Sequence, residues 1–140
     1  GASEVGADFD VNVSTGSDGV IMGGSGGHAD AAAGAKLAIV VTPLATSGWP
    51  RLVERVTCRT TPGAHVDAVV TEAGIAINPR RADLLDRARH AGLPVMTLAA
   101  MRALCPPPRD VTRPEADAPV VAVCEYRDGR MIDLVRRTGR

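Results

Sequence analysis

The residues best suited to chemistry are four glycines within five residues, Gly23–Gly27, interrupted by Ser25. Glycine destabilises a helix or strand, but it leaves backbone N–H groups that no Cβ atom shields. Ala-rich, helix-favouring residues begin at Ala31, so we expect these N–H groups at a helix N-terminus, where the macrodipole favours anions. Asp30 is expected to cap this helix or to lie in its first turn. The sequence therefore predicts an anion-binding loop, with His28 as a structural hydrogen-bonding group or a base.

Two other patterns overlap this loop. Gly24-x-Gly26-x-x-Ala29 matches a relaxed dinucleotide fingerprint, but no acidic residue follows about twenty positions on to hold a ribose. Gly23-x-Ser25-x-Gly27 matches the nucleophile elbow of hydrolases, but its histidine and acidic partners cannot be assigned. No Gly-Lys-Ser/Thr follows the loop, so the phosphate-binding loop of nucleotide hydrolases is excluded.

The composition limits the classes of function. The 140 residues carry 16 basic and 16 acidic side chains, and 45% are hydrophobic, which is typical of one globular domain. Aromatic residues are few and no basic stripe is present, so we expect no nucleic-acid partner. No apolar run is long enough for a bilayer, and no secretory leader is visible. Three widely spaced cysteines indicate free thiols and a cytoplasmic location, without a metal site.

The elements around the loop are predicted from periodicity. Strict alternation over 8–14 predicts a half-buried strand, with Asn12 on its solvated face. Residues 20–22 are predicted to return as its hairpin partner, directly before the glycine loop. The following helix, 31–38, has so little side-chain bulk that we expect it close to a sheet. The apolar run 37–41 predicts a strand covered on both faces.

The rest of the chain alternates strands and helices. Strands are predicted over 52–60, 66–71, 75–77 and 94–96. Asn78 and Pro79 predict the start of an amphipathic helix that Gly92 ends, and Thr97 caps a second, shorter helix. Strand, helix and strand in this order predict a crossover and a partly parallel sheet.

The last third of the chain combines a connection and a hairpin. A proline-rich surface connection is predicted over about 105–119. The Asp128-Gly129 pair then predicts a hairpin between strands at 120–126 and 131–135. The tail over 136–140 is expected to fray.

Several segments together resemble the citrate lyase alpha subunit, the citrate CoA-transferase component, in order along nearly the whole chain. The wider CoA-transferase superfamily shares the glycine loop ending in Gly-Gly-x-x-Asp and the Val-Thr-Glu-x-Gly segment. The segments that carry the resemblance are Glu4-Val5, Asp8–Val13, Thr15–Val20, Gly24–Asp30, Ala33–Lys36, Arg55–Thr57, Thr61–Gly63, Val70–Arg81, Ala91–Val95 and Val123–Gly129.

The resemblance implies a fold and an activity. The fold would be α/β, with a mixed, partly parallel sheet and flanking helices, of the NagB/RpiA/CoA-transferase-like kind. Residues 1–140 would form one domain, the C-terminal part of such a subunit. The activity would exchange acetate for citrate on the thioester of an acyl-carrier protein. That partner carries a CoA-like phosphopantetheine group, a citryl lyase subunit then splits the product, and no bound metal or redox cofactor is implied.

The resemblance also implies site residues. The thioester or CoA-like group would be bound by Gly24, Ser25, Gly26, Gly27, His28 and Asp30, with Glu72 and Gly74 approaching from the next strand end. Asn78, Arg80 and Arg81 would meet a carboxylate or phosphate, or else form a surface pair at a helix start.

No catalytic nucleophile is assigned, because Glu4 lies too early in the matched stretch. Full alpha subunits are several times longer, so we expect a fragment that is inactive without the N-terminal half. The alternatives are a stand-alone module that binds a CoA-like ligand, a related CoA-transferase using another carboxylate, and a truncated gene product.

Overall fold

The computed structural model of the chain describes residues 1–110 and 113–138. Its strands are β1 (Glu4–Val5), β2 (Val11–Asn12), β3 (Ile39–Val41), β4 (Ala45–Thr46), β5 (Trp49–Pro50), β6 (Ala68–Thr71), β7 (Gly74–Ile77), β8 (Val95–Met96), β9 (Val120–Glu125) and β10 (Met131–Arg136). Its α-helices are α1 (His28–Gly34), α2 (Ala82–His90) and α3 (Leu98–Arg102), and a 3₁₀ turn spans Gly63–His65.

The central sheet has four strands in the order β3-β6-β7-β8. β3 runs parallel to β6, β6 and β7 form an antiparallel pair, and β7 runs parallel to β8. Helix α2 connects β7 to β8, which confirms the predicted crossover and the mixed, partly parallel α/β sheet. Thr97 accepts a hydrogen bond from the Ala100 amide and so caps α3 as predicted.

The core lies on one face of this sheet. Val40, Val69 and Ala76 stand side by side there and pack with residues of the strands and helices around them, namely Val5, Phe9, Val11, Leu52, Val66, Leu98 and Met101. On the other face, Ile39 and Val41 are 50% and 60% exposed, so the prediction that this strand is covered on both faces is wrong. β3 is an edge strand, and α2 packs against β8 at the opposite edge.

The predicted strand over 8–14 is shortened to the two residues of β2. Phe9 has a φ of 67°, and its amide donates to Gly6, so the chain turns there instead of extending. Asn12 is fully buried rather than solvated, because other polar groups meet its side chain. Residues 20–22 are exposed and form no strand, apart from one bridge between Thr15 and Ile21.

Three further predictions are wrong. α1 ends at Gly34 and none of its residues is buried, because an alanine helix without an apolar stripe has little to pack on a sheet. Residues 52–60 form no strand; Leu52 makes only an isolated bridge to Val5. α2 begins at Ala82 with Arg81 at its N-cap, so Asn78 does not cap it; Asn78 Oδ1 accepts the Arg80 amide at 3.3 Å, before the helix begins.

The hairpin of β9 and β10 is confirmed, with Gly129 in the left-handed region at a φ of 84°. Residues 105–110 and 113–119 contain no strand, and α3 ends before them; 111 and 112 of this predicted connection lie outside the described residues. The tail does not fray at its start, since Arg136 belongs to β10 and Arg137 donates to Pro119. Residues 139 and 140 of the tail also lie outside the described part.

Candidate functional site

Residues 13–22 connect β2 to the glycine loop, and the loop leads into α1. The amides of Met22 and Gly23 donate to the Ser14 carbonyl at 2.8 and 3.3 Å. Across the described ranges 1–110 and 113–138, the four amides from Gly24 to Gly27 donate no hydrogen bond. A Cβ atom at Gly23, Gly24, Gly26 or Gly27 would meet nothing within 4 Å. The loop therefore presents its backbone donors to open space.

His28 is the first residue of α1 and is held on both ring nitrogens. Nε2 lies 3.2 Å from the Gly1 carbonyl oxygen and Nδ1 lies 2.8 Å from Thr61 Oγ1. Because a carbonyl can only accept, Nε2 carries a proton, and in the neutral form of the ring Nδ1 accepts from the Thr61 hydroxyl. Burial lowers the pKa of His28, while the hydrogen bond to Gly1 opposes that effect. This arrangement favours the interpretation of His28 as a structural hydrogen-bonding group.

Asp30 lies in the first turn of α1, as predicted, with its carboxylate largely exposed. Its Oδ1 is 3.6 Å from Arg127 Nε, in the turn between β9 and β10. An exposed pair of this kind contributes little to stability. The contact nevertheless places the hairpin turn next to the start of the helix.

Glu72 lies in the turn between β6 and β7, and Gly74 is the first residue of β7. Both carboxylate oxygens of Glu72 accept the Leu44 amide at 3.1 Å. Gly74 has a φ of 149°, and a Cβ atom there would lie 2.6 Å from the Pro94 carbonyl oxygen. Close approach of backbone from the β8 side therefore requires glycine at this position, which is a structural reason for the residue type.

The arginines predicted to meet a carboxylate meet Asp67 of this chain. Asp67 is buried, and its Oδ1 lies 3.0 Å from Arg80 Nη2 and 2.8 Å from Arg81 Nη1. Arg81 also makes a bidentate pair with Asp83, at 2.9 and 3.0 Å. Asp67 accepts the Ala38 amide as well, at 2.8 Å. A bound carboxylate or phosphate would have to compete with these contacts, which favour the surface-pair interpretation.

Asn78 connects this region to the glycine loop. Its side-chain amide donates to the carbonyls of Gly63 and Val66, at 3.1 and 2.9 Å. Gly63 begins the 3₁₀ turn that contacts α1. Asn78 thus stabilises the 3₁₀ turn that contacts α1, and it supports the glycine loop only through that turn.

Sequence reasoning missed a buried polar cluster behind the loop. Glu4 is fully buried, and its carboxylate accepts from Asn12 Nδ2 at 2.9 Å, the Thr57 amide at 2.6 Å and the Thr57 hydroxyl at 3.0 Å. Asn12 Nδ2 also donates to Thr15, at 2.8 Å to its hydroxyl. These partners are far apart in the sequence, so no local pattern indicates the cluster.

Asp10 is a second missed carboxylate. It accepts the Gly63 amide at 2.7 Å and lies 3.7 Å from Arg59. Burial raises the pKa of Asp10, the Gly63 hydrogen bond opposes this, and nearby Asp8 adds to the increase. Its position under the turn that contacts α1 makes it part of the support for the loop.

No group of three or more His, Cys, Asp or Glu side chains in residues 1–110 and 113–138 is arranged to hold a metal ion. Within the same ranges, no helix is long and apolar enough to cross a membrane. The chemistry that the loop offers is donation by backbone amides, next to the imidazole of His28.

These features define an α/β protein with a mixed sheet, in which an open glycine loop precedes a short helix. Within that class, the family model described as "Citrate lyase, alpha subunit (CitF)" matches residues 1–138. The chain belongs to the citrate lyase alpha subunit family.

Relatives agree with this assignment. The chain is 49% identical to the citrate lyase alpha chain of Klebsiella pneumoniae and 44% identical to that of Escherichia coli K12, each over 97% of this chain. It spans about 27% of the length of these relatives. A solved structure described as the alpha subunit of citrate lyase from Streptococcus mutans, in complex with citrate, superposes with a TM-score of 0.90 and 43% identity, covering 99% of this chain and 28% of that one.

Proposed function

We propose that this chain is the segment of a citrate CoA-transferase subunit that supplies backbone donors to an acyl group. The observation that carries the proposal is its agreement, at a TM-score of 0.90, with an alpha subunit solved in complex with citrate. That agreement covers 99% of the chain and so extends to the glycine loop, whose amides are open. By resemblance, the segment would be the C-terminal part of a CoA-transferase-like subunit.

The proposed reaction exchanges acetate for citrate on an acyl-carrier thioester. Attack of a carboxylate on a thioester places negative charge on the former carbonyl oxygen, and preorganised N–H donors stabilise that charge. The amides of Gly24 to Gly27 are such donors, and His28 fixes the end of the loop through Thr61. A CoA-like phosphopantetheine group, carried on a partner acyl-carrier subunit, would supply the thioester. Glu72, Gly74, Asn78, Arg80 and Arg81 would support the surrounding structure.

No catalytic nucleophile is assigned to this chain. The citryl lyase subunit and the remainder of the alpha subunit are its proposed protein partners, in a cytoplasmic complex. The chain's own residues bind and orient the acyl group, and the covalent chemistry is left to residues outside it.

A chimera tests the proposal in a complete enzyme. The matching segment of the Klebsiella pneumoniae alpha chain is replaced by this chain, and exchange of acetate for citrate on the acyl carrier is measured. We expect activity, because the two sequences are 49% identical over 97% of this chain. A folded chimera that assembles but shows no exchange would contradict the proposal.

A matched pair of variants then tests the loop amides. Gly24→Pro removes one N–H group, whereas Gly24→Ala keeps it and places a methyl group in open space. Loss of one oxyanion donor costs about 10²–10³-fold in rate. We expect a loss of that order in Gly24→Pro, or in Ser25→Pro, and near-parent exchange in Gly24→Ala. Full activity in both proline variants would exclude these two amides from the chemistry.

A further inference from the structure

A second candidate site is lined by residues outside the glycine loop. An open cleft of about 390 Å³ is bounded by residues 55–58, by the end of β10 and by residues 113–116. This volume falls in the ~300–1,000 Å³ range of small-molecule pockets. Three arginines from three separate segments line it: Arg55, Arg113 and Arg136. The cleft and the glycine loop share no lining residue, so the inference does not rest on the proposed function.

The acidic groups near the cleft already have partners. Asp133 lines it, but its oxygens accept the amides of Arg59 and Leu134, at 2.6 and 2.8 Å. Glu4 is buried behind the lining residue Thr57, and its carboxylate is held by hydrogen bonds from Thr57 and Asn12. These carboxylates offset the positive charge of the arginines only in part.

Two of the three guanidinium groups lack a carboxylate partner in the described part of the chain. Arg113 lies 4.0 Å from Glu4 and donates to the Arg55 carbonyl at 3.5 Å, and Arg136 donates to the Ala118 carbonyl at 2.8 Å. In the described part of the chain, no carboxylate lies within 4.0 Å of the guanidinium of Arg55 or Arg136. Three lining arginines against these two carboxylates leave a net positive charge at the cleft, which favours a bound anion.

We propose that this cleft binds an anionic group, a carboxylate or a phosphate, through Arg55, Arg113 and Arg136. Guanidinium forks match the geometry of both groups. The shared chemistry is a small oxyanion, presented free or as part of a larger ligand.

The test is an NMR titration of the ¹⁵N-labelled 140-residue chain at low ionic strength. Citrate and inorganic phosphate are the two probes, and sodium chloride controls for ionic strength. We expect saturable shifts centred on the amides of Thr57, Cys58 and Val135. Saturation by citrate alone indicates a carboxylate site, and saturation by phosphate alone indicates a phosphate site. No saturable shift at millimolar probe would overturn the proposal, as would shifts centred on the glycine loop, which would leave the proposed function standing.

Matched variants assign the contacts. A charge-assisted hydrogen bond contributes about 1.5–3 kcal/mol, so Arg55→Gln and Arg113→Gln are each expected to weaken binding at least tenfold. Arg89→Gln makes the same charge change at an exposed site on α2, and we expect no effect. Equal weakening in Arg89→Gln would indicate non-specific attraction and overturn the site. If Arg113→Gln unfolds, which far-UV circular dichroism detects, Arg55→Gln decides the question alone, because that side chain has no carboxylate partner in the described residues.

Discussion

Glu4→Leu removes a carboxylate that three hydrogen bonds hold in the interior of the protein. The donors are Asn12 Nδ2, the Thr57 amide and the Thr57 hydroxyl, and Glu4 is fully buried. Leucine is similar in size but cannot accept a hydrogen bond. The substitution therefore tests whether these bonds stabilise the fold, with little change in packing volume.

The expected cost follows from which donors lose their partner. Asn12 keeps the Thr15 carbonyl and hydroxyl, at 3.2 and 2.8 Å, so of the three hydrogen-bond donors only the two on Thr57 lose their acceptor. Each orphaned buried donor costs about 1–3 kcal/mol. Removing a buried charge recovers part of its desolvation penalty, so we expect a net loss of roughly 2–4 kcal/mol.

Glu4→Gln should cost less. The glutamine oxygen can accept from Asn12 and the Thr57 amide, and its NH₂ group can donate to the Thr57 hydroxyl, which rotates to accept. With the donors satisfied, we expect a loss below about 1.5 kcal/mol. The exposed Glu125 on β9 provides a control, since a surface substitution there should change stability by no more than about 0.5 kcal/mol.

Urea unfolding at neutral pH, followed by far-UV circular dichroism, gives the free energy of unfolding of each variant. The reasoning is refuted if Glu4→Leu is no less stable than Glu125→Leu. It is also refuted if Glu4→Gln and Glu4→Leu lose the same free energy, because hydrogen bonding would then not explain the loss.

Three further predictions follow from burial and close packing. Gly63→Ala should unfold the chain or lower its free energy of unfolding by several kcal/mol, because the added Cβ atom would overlap the Asp8 carbonyl. Gly34→Ala places its methyl group in open space and should stabilise α1 by about 0.5–1 kcal/mol. Thermal melting curves of the two variants test this difference. Because the pKa of His28 is lowered in the folded chain, the unfolded chain binds a proton at this imidazole more readily than the folded chain does. The free energy of unfolding should therefore fall as pH decreases below about 6.5. His28→Gln should flatten this slope in urea unfolding at several pH values, and an unchanged slope would exclude His28 as its source. Burial raises the pKa of the Cys58 thiol, so peptide mass spectrometry should show slower alkylation there than at Cys124, and equal rates would contradict the burial.

The sequence predicted elements whose signals are local. The β6–β7 pair, the crossover through α2, the Thr97 cap and the β9–β10 hairpin depend on apolar runs, caps and turn residues within a few positions. The solvated face predicted from the alternation over 8–14 was wrong for Asn12, because the pattern indicates the polarity of a side chain and not the partners that it meets in the fold. Asn12 is buried because Glu4, eight residues earlier, and Thr15 satisfy it in the folded chain.

The predicted site also contains residues whose positions follow from local sequence and residues whose partners are distant in the sequence. The glycine loop and Asp30 in the first turn of the helix were predictable, because backbone freedom and helix polarity are local properties. The partners of Arg80 and Arg81 were not, because Asp67 reaches them only through the sheet. The acyl role of the loop stays a prediction, supported by the family.

A site made of backbone amides depends on residues outside it, because glycines do not order themselves. Here the loop is fixed at both ends. At its entry, Asn12 Oδ1 accepts the Ser14 amide at 3.0 Å, and the Ser14 carbonyl in turn accepts the Gly23 amide at 3.3 Å. At its exit, His28 is held by Thr61 at 2.8 Å. The buried carboxylate that holds Asn12 therefore acts on the loop through one side chain and one turn. If this coupling holds, the glutamine variant at that carboxylate should retain exchange in the chimera, and the leucine variant should lose exchange at temperatures where its circular dichroism still shows a folded chain.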